Sequence, residues 1–385
     1  MTQPSEDPSS RRLLIVGGGI AGFAMLRACS TRGLQAQLVE ASSGPPEVGL
    51  GLNLPGNAVR ALRALGIADS LRQRAATVRR REYRNARGRL IFAVDEAAYW
   101  GEADTPICAR RGDVLDLLRA SADPGRVRFG HTVTGVAETD GRVQVSFADS
   151  ATESYDLVVG ADGVHSRVRT SVLGAAATRE SLLSSASWRF VTVNPGVQCW
   201  SVWSGSAGTL LLIPLVADQV YGYASATAGG SVGDDPQWLR STFDGYPALA
   251  RQAISSALAE PSSLYHSPIE EVRLESWARG RVVLIGDAAH ATAPVWAQGA
   301  AQAAEDALVL AELLASGQDW ATVGAEFERR RRDRVEHVQR MTDRLSKAAA
   351  LPGWFRDIIL PVVGPRTYRA TFDPLKDAVI EAPTS

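Results

Sequence analysis

The segment at residues 13–30, LLIVGGGIAGFAMLRACS, places a glycine-rich turn between a short apolar run and a helix-forming run. A fully apolar run of this length predicts a buried parallel strand. Gly17, Gly19 and Gly22 have the GxGxxG spacing, which makes a tight turn, leaves room for a pyrophosphate and lets a helix pack closely on a strand. The free N–H groups at the helix start favour a phosphate. The chain is therefore expected to begin with a dinucleotide-binding βαβ unit.

An acidic residue ends the second strand of this unit. The run QAQLVE finishes at Glu40, where a carboxylate can accept hydrogen bonds from ribose hydroxyls. Ile20 and Ala21 complete the turn between the glycines, so this segment predicts a site for the adenosine half of a dinucleotide. The alternative is a glycine-rich turn that binds no ligand. The spacing does not distinguish FAD from NAD.

Two more buried runs end in a glycine beside an aspartate. LVVGA is followed by Asp162, and Arg169 comes seven residues later on a predicted helix start. VVLI, residues 282–285, is followed by Gly286 and Asp287. Ligands of doubly wound sheets bind at the carboxyl ends of the strands, so the three strand ends are expected to converge on one ligand. For the middle segment, a plain strand-to-helix turn capped by Asp162 is an equal alternative.

The third strand end continues into a loop and a helix of small residues. Pro294 begins the cap of the expected pocket, and Gln298 begins a helix whose N–H dipoles could face an electron-rich ring edge such as the N1–C2=O edge of a flavin. His290 is interpreted as a packed or hydrogen-bonding residue, because no Ser, Cys or metal partner is spaced to use it in catalysis.

With these motifs in this order, the chain resembles single-component FAD-dependent monooxygenases of the p-hydroxybenzoate hydroxylase type. Such proteins carry GxGxxG, then DGxxSxxR, then a GDAAH–P–QG segment. The likeness also includes the loop from Gly49 to Pro55 and the helix start at Arg111. The resemblance implies a set of cofactor-binding residues. They are Gly17, Gly19, Ile20, Ala21, Gly22, Glu40, Gly51, Arg111, Asp162, Arg169, Gly286, Asp287, Pro294, Gln298, Gly299 and Ala300.

The resemblance also implies a reaction. NAD(P)H would reduce non-covalently bound FAD, and O₂ would form a C4a-hydroperoxyflavin that hydroxylates or otherwise oxygenates an aromatic or conjugated small molecule, as in natural-product biosynthesis. The cofactor carries the hard chemistry, which explains why no catalytic triad is visible. One alternative is a flavin-dependent oxidase, epoxidase or cyclase with weak NAD(P)H reduction. Another is a flavin-binding protein without turnover.

Three residues are singled out as catalytic candidates. Asn53 lies in GLGLNLPG, where every second residue is expected to turn toward the substrate, and its amide would position the substrate. Trp296 is expected to form a flat wall across the ring. In the alternative, Asn53 caps a turn and Trp296 fills core. Arg189 would pair an acidic substrate group or form an ordinary salt bridge. Ala297 replaces the family's usual glycine and is strained if its φ is positive.

The predicted fold class is α/β, with a Rossmann-like FAD-binding domain (GR2-type, p-hydroxybenzoate hydroxylase-like), an inserted antiparallel β-sheet substrate domain and C-terminal helices. The expected domains are listed by residue range. The FAD-binding domain is expected to comprise residues 11–78, 101–175 and 269–345. The substrate-binding domain is expected to comprise residues 79–100 and 176–268, and residues 346–385 are expected to form a C-terminal helical segment. The run EFERRRRDRVEHVQRMTDRL is expected to form a solvent-exposed helix.

Strand-like pieces rich in aromatic residues predict a sheet face that lines a pocket for a planar substrate. The pocket candidates are Trp188, Trp203, Leu212, Pro214, Tyr221 and Tyr223. For any one of them, ordinary sheet core is an equal alternative.

Composition excludes several other classes. The 41 Lys and Arg nearly balance the 42 Asp and Glu, which argues against a nucleic-acid or membrane partner. The three cysteines lack metal or disulfide spacing, and no apolar run suggests a membrane span. These features predict a cytoplasmic protein with a small neutral or mildly charged partner. The resemblance implies an aromatic or conjugated small molecule and O₂ as partners, and the chain is expected to be a monomer or homodimer.

Overall fold

The structure is a computed structural model. It describes residues 11–44, 50–120, 122–174, 178–181, 184–227, 229–349, 351 and 353–380. Gly49 of the predicted flavin loop and the predicted domain limit at 175/176 lie outside the described residues.

A six-stranded sheet forms the centre of the first lobe. In spatial order its strands are β20 (Ala278–Arg279), β21 (Val282–Leu284), β12 (Leu157–Gly160), β1 (Leu13–Val16), β2 (Ala36–Glu40) and β8 (Val127–Phe129). All neighbours are parallel except β20 and β21. Val16 pairs with Gly160, and Gly160 pairs with Leu284, so the three predicted strand ends lie side by side. This parallel sheet confirms the predicted fold class.

Helices cover this sheet and connect its strands. In chain order they are α1 (Ile20–Ser30), α2 (Gly56–Ala64), α3 (Ala68–Arg72), α4 (Glu96–Trp100), α5 (Arg111–Arg119), α6 (Arg167–Leu173), α9 (Asp287–His290) and α10 (Gly299–Ala315). α1 packs between α10 and α5. The neighbouring elements can approach α1 closely because its buried side includes small residues, namely Ala21, Gly22, Ala24 and Ala28. This contact brings the first and third motifs together.

Three small sheets complete the lobe. They comprise β3 (Gly51–Leu54), β7 (Ile107–Arg110) and β4 (Ala76–Thr77); β11 (Thr152–Tyr155), β10 (Arg142–Phe147) and β9 (Val133–Thr139); and β13 (Thr178–Glu180) with β19 (Glu270–Val272). The first of these sheets matters for the site, because β3 carries Asn53.

A seven-stranded sheet forms the second lobe. Its order is β18 (Tyr265–Pro268), β14 (Ala186–Val193), β17 (Gln219–Ser225), β16 (Thr209–Leu215), β15 (Trp200–Ser204), β5 (Arg80–Asn85) and β6 (Leu90–Asp95). The strands come from the two chain segments predicted for the substrate domain. The domain limits themselves remain a prediction. The sheet is antiparallel except at β15 and β5, which pair in parallel where the two segments join.

The two faces of this sheet have different neighbours. The outer face packs against α7 (Gln237–Phe243) and α8 (Ala248–Ala259), while the inner face meets Cys108 and Ala293 of the first lobe. Because side chains alternate along a strand, neighbouring residues such as Trp188 and Arg189 belong to opposite faces. The inner face is therefore the one available to a ligand held by the first lobe.

Two long helices, α11 (Trp320–Ala349) and α12 (Gly353–Phe372), follow. The predicted limit at 345/346 divides α11, which is continuous through it. The expectation of a solvent-exposed helix is only partly right, because Phe327, Arg331 and Val335 are buried. Among the described helices, none is both long enough and apolar enough to cross a membrane.

Candidate active site

The glycine-rich turn has the geometry that its spacing predicts. Gly17 has φ +111°, and a Cβ there would lie 2.4 Å from the carbonyl oxygen of Ala161. A Cβ on Gly22 would lie 1.8 Å from the carbonyl oxygen of Gly17. A Cβ on Gly19, in contrast, would meet no atom within 4 Å. Two glycines thus permit close packing, and the third faces open space beside the start of α1.

Glu40 lies against this turn. One carboxylate oxygen accepts a hydrogen bond from the Gly18 N–H at 2.6 Å, and the other accepts from the Ser42 N–H at 2.8 Å. Ile20 and Ala21 are the first two residues of α1. The carboxylate is therefore fixed beside the open space at Gly19, where a ribose could reach it.

Asp162 supports the start of α6, but the N-cap itself is Ser166, whose hydroxyl accepts from the Arg169 N–H at 2.9 Å. The Asp162 carboxylate accepts from the Ser166 hydroxyl at 2.5 Å and from the backbone N–H groups of Arg167 and Val168 at 2.8 and 3.1 Å. It orients the start of α6, at the same sheet edge as the glycine-rich turn. A direct contact of Asp162 with the cofactor remains a prediction.

Arg169 is buried, and its side chain is occupied by the protein itself. It donates to the carbonyl oxygens of Ala288 at 2.9 Å and Val164 at 2.6 Å. The guanidinium therefore ties α6 to α9. A contact of Arg169 with the cofactor stays a prediction.

Asp287 is the acidic group at the third strand end. It follows Gly286, whose φ is +59°, and a Cβ on Gly299 would lie 3.8 Å from its Oδ1. The carboxylate keeps solvent access, but the surrounding protein raises its pKa by desolvation, while His290, Arg111 and Arg189 act in the opposite direction. An accessible carboxylate thus stands beside the start of α10, formed by Gly299 and Ala300.

Arg111 is the first residue of α5, and its N–H donates to the carbonyl oxygen of Leu50 at 2.8 Å. Its side chain is exposed. Together the strand ends present the open space at Gly19, the carboxylates of Glu40 and Asp287 at the two ends of the sheet edge, and the start of α10. This donor and acceptor set fits the adenosine, pyrophosphate and flavin parts of FAD.

The loop before α10 contains the strain predicted for its alanine. Ala297 has φ +54° and ψ +38°, the left-handed region that favours glycine. Pro294 begins the short 3₁₀ turn that precedes it. Trp296 is 6% exposed and packs edge-on against Phe372 of α12, with ring centroids 5.9 Å apart. The packing alternative is therefore right for Trp296, which does not form an open wall over the ligand.

Gln298 also turns its side chain inward. It exchanges two hydrogen bonds with Asn57, at 2.9 and 3.2 Å. His290 is likewise structural, because its Nε2 lies 2.7 Å from Oδ2 of Asp306. The interpretation of His290 as a hydrogen-bonding residue is consistent with this contact.

Two acids and an arginine behind these loops were not predicted from the sequence. Arg331 of α11 is fully buried and pairs with Glu305 and Asp306 of α10. A signal was present, since Val323, Phe327, Arg331 and Val335 recur at the helical spacing of a buried stripe. A charge in such a stripe needs a buried partner.

β3 has the predicted alternation. Leu54 is fully buried, Leu52 packs against the same core, and Asn53 points to the opposite side, across from Cys108. Among the residues that the structure describes, the Asn53 side chain caps no turn, and its buried Oδ1 has no hydrogen-bond partner. Beside it, a Cβ on Gly51 would lie 2.4 Å from the Tyr221 ring. β3 therefore presents an unpaired amide oxygen next to the inner face of the seven-stranded sheet.

Arg189 and Tyr223 are direct cross-strand neighbours on that inner face. The Nε of Arg189 and the hydroxyl of Tyr223 are buried without hydrogen-bond partners, and Arg189 forms no ion pair within the described part of the chain. Burial raises the pKa of Tyr223, so the phenol stays protonated at neutral pH. Burial also raises the pKa of Tyr221, to about 12.

Four of the six predicted pocket residues lie on the other face. Trp188, Trp203 and Leu212 belong to the outer core, and the Trp188 indole donates to the Gly233 carbonyl at 2.9 Å. Pro214 and Trp203 line a cleft of about 670 Å³, together with Val197, Trp200 and Pro247. Of the six predicted pocket residues, only Tyr221 and Tyr223 therefore lie on the face that packs toward the first lobe, and the pocket assignment stays a prediction.

Comparison with known proteins agrees with this geometry. A family model described as "FAD binding domain" matches residues 11–344. The chain is 31% identical to 2-heptyl-3-hydroxy-4(1H)-quinolone synthase of Pseudomonas aeruginosa over 342 residues, which cover 86% of this chain and 87% of that protein. It is 28% identical to 6-hydroxynicotinate 3-monooxygenase of Bordetella bronchiseptica, over 86% and 90% of the two chains. The fold superposes on Klebsiella pneumoniae HpxO complexed with FAD and uric acid with a TM-score of 0.80, at 23% identity over 97% and 95% of the chains.

Proposed function

Because the chain belongs to the FAD-binding-domain family of FAD-dependent monooxygenases, we propose that it hydroxylates a planar nitrogen heteroaromatic compound that carries an acidic hydroxyl or carboxyl group. FAD supplies the redox and oxygen-activating chemistry when it is bound, with NAD(P)H as the reductant and O₂ as the oxygen source. The two relatives named for a quinolone and a hydroxynicotinate support this substrate class.

The cofactor is held along the strand ends of the six-stranded sheet. Glu40 accepts from the adenosine ribose, the N–H groups around Gly19 bind the pyrophosphate, and Asp287 accepts from the ribityl chain. The N–H groups at Gly299 and Ala300 face the electron-rich edge of the ring. Arg111 supplies a positive charge on the open side of this cleft.

The substrate lies between this edge and the inner face of the seven-stranded sheet. Arg189 pairs with the acidic group and keeps the substrate anionic, which enriches the ring in electrons. Asn53 and Tyr223 hydrogen-bond to the polar atoms of the substrate, and Tyr221 provides a flat apolar wall. The side chains of Arg189, Tyr221 and Tyr223 also exclude water from the reacting face of the substrate.

One observation supports the proposal most strongly. Arg189 has a buried, unpaired Nε on the same face as two tyrosines, and its charge acts on Asp287 at the cofactor edge. Arg189 as a whole is half-buried, but a donor that is shielded from water and left unpaired costs free energy, so an anionic ligand that accepts from this Nε would complete the site.

The test compares acidic ligands with matched neutral ones. FAD-loaded protein is assayed for NAD(P)H consumption and product with 4-hydroxyquinoline, 6-hydroxynicotinate and their O-methyl or ester derivatives. We expect turnover with an acidic compound and, in Arg189→Met, a KM increase on the order of 10-fold or more, because a hydrogen bond to a charged group contributes roughly 1.5–3 kcal/mol. Arg189→Lys should retain part of the affinity. Equal KM values for acidic and neutral compounds, unchanged by Arg189→Met, would contradict the proposal.

A further inference from the structure

A buried polar network connects α11 to both loops that flank Asp287. At its centre, Arg331 donates from Nε to Asp306 Oδ1 at 2.8 Å and from Nη1 to Glu305 Oε2 at 2.9 Å. Arg334 donates to both oxygens of Glu305, at 2.7 and 2.8 Å. Burial alone would raise the pKa of each acid, but the facing positive groups outweigh it and hold both pKa values below the usual range. Both acids are therefore ionised acceptors.

One branch of the network reaches the loop before Asp287. Asp306 Oδ2 accepts from the Gly286 N–H at 2.9 Å and from His290 Nε2 at 2.7 Å. Since the carboxylate is ionised, His290 carries a proton on Nε2. This branch fixes both ends of the segment that carries Asp287.

The other branch reaches the loop before α10. Glu305 Oε1 accepts from Asn57 Nδ2 at 3.2 Å, and Asn57 exchanges two hydrogen bonds with Gln298. Asn57 and Gln298 are 2% and 4% exposed, so water does not compete for these bonds. Gln298 directly follows Ala297, the residue held at positive φ.

Ala297 needs such an anchor. A side chain with a Cβ is disfavoured in the left-handed region, and released from constraint the residue would return to negative φ. Its own backbone contributes one turn bond, from its N–H to Pro294 O at 3.2 Å. A flip at Ala297 would redirect the first N–H groups of α10, which begin two residues later.

We propose that Asn57 is a positioning residue that holds Ala297 in its left-handed conformation through Gln298, and so keeps the start of α10 aimed at the flavin. The inference rests on the proposed cofactor site. It assigns a role to Asn57, in α2, and to the carboxylate of Glu305 that orients it. Neither residue needs to contact the cofactor.

The opposing explanation is that Asn57 and Gln298 form an ordinary buried polar pair. A glycine substitution distinguishes the two explanations, because glycine adopts positive φ without a steric penalty. If the Asn57–Gln298 pair exists to hold Ala297, then Ala297→Gly should restore the FAD affinity that is lost when the pair is broken. If the pair only stabilises the core, the glycine should repair nothing.

The experiment measures the FAD dissociation constant by flavin fluorescence, the flavin midpoint potential, and the melting temperature of the apoprotein. We expect Asn57→Ala to weaken FAD binding about 10-fold, equivalent to about 1.4 kcal/mol. The midpoint potential should fall, because the helix dipole would stabilise the reduced, more negative flavin less well. Ala297→Gly alone should change FAD affinity less than about 2-fold. The double variant should recover most of both losses.

Gln302→Leu is the control, because the Gln302 side chain accepts from Arg331 and forms no hydrogen bond with the side chains of Asn57 or Gln298 among the described residues. Its backbone N–H donates to the Gln298 carbonyl at 2.8 Å, a bond that the substitution keeps. It should leave FAD affinity and potential unchanged whatever its melting temperature. If Asn57→Ala does not fold, Gln298→Leu breaks the same pair from the other side and should give the same result. An affinity loss that Ala297→Gly does not repair, or no loss at all, overturns the proposal. Wild-type protein that binds no FAD would instead reject the cofactor site itself.

Discussion

The strand-end edge of the six-stranded sheet and the inner face of the seven-stranded sheet belong to adjoining lobes, which meet at Cys108 and Ala293, but the chain encodes them differently. At the edge, each binding group lies within a few residues of the strand that positions it, as Asp287 follows Leu284. On the inner face, the set of side chains that face the first lobe depends on how the seven strands pair in register. Cofactor groups can thus be located from local motifs, whereas substrate groups require the whole sheet.

Replacing Asp287 should have the largest effect at the edge. Asp287→Ala removes the only carboxylate that we place at the flavin half, and we expect purified protein to lose most of its flavin. Absorbance of the released flavin after denaturation measures this. Asp287→Asn keeps the shape and should retain more cofactor. Full flavin content in Asp287→Ala would show that the edge does not bind the flavin half through this residue.

A smaller loss is expected at the other end of the edge. Glu40→Ala removes a charge-assisted acceptor from the ribose, so FAD affinity should fall by roughly 1.5–3 kcal/mol. Titration of apoprotein with FAD gives the dissociation constant, and Glu40→Gln should be intermediate. Wild-type affinity in Glu40→Ala would remove this residue from the site.

A matched pair of variants separates the two faces of the seven-stranded sheet. Tyr223→Phe, on the inner face, removes one neutral hydrogen bond to the substrate and should raise KM by a few-fold, given about 0.5–1.5 kcal/mol per bond. Trp203→Phe, on the outer face, should lower the melting temperature and leave KM unchanged. A KM change in Trp203→Phe with none in Tyr223→Phe would reverse our assignment of the faces.

The smallest expected effect is a pH dependence of FAD binding. The pKa of Asp287 is raised in the free protein, and a hydroxyl donor from FAD stabilises the ionised form. Affinity should therefore be highest at neutral pH and should weaken as the pH falls through this raised pKa. Asp287→Asn should flatten the dependence. An equally steep profile in the Asn variant would assign the titration to another group.

The same contrast explains what the sequence could and could not predict. The close packing at Gly17 and Gly22 and the place of Glu40 beside the turn followed from the sequence because turn sterics act within one βαβ unit. Their contacts with the cofactor stay predictions. The positive φ of Ala297 followed from a single replaced glycine. Trp203 lies on the outer face, which the sequence could not predict. In a run such as QCWSVW, alternate residues point to opposite faces of the sheet, and the run does not reveal which set faces the first lobe.

The residues that were missed depend on tertiary packing. Arg331 was assigned to a solvated charge run, since its partners Glu305 and Asp306 lie on another helix. Trp296 was assigned to the ligand because the sequence does not show that α12 returns to cover it. Contacts between distant segments leave only indirect signals, such as a charge within an apolar stripe.

The central claim is that the edge and the inner face together hold FAD and an acidic aromatic compound for oxygenation. The most direct measurement uses FAD-loaded protein, NAD(P)H and ¹⁸O₂ with a panel compound that accelerates NAD(P)H consumption, and analyses the product by mass spectrometry. The account predicts a hydroxylated product that contains one ¹⁸O atom and forms at a much lower rate in Arg189→Met. A product without ¹⁸O, or NAD(P)H consumption that yields only hydrogen peroxide with every compound, would contradict it.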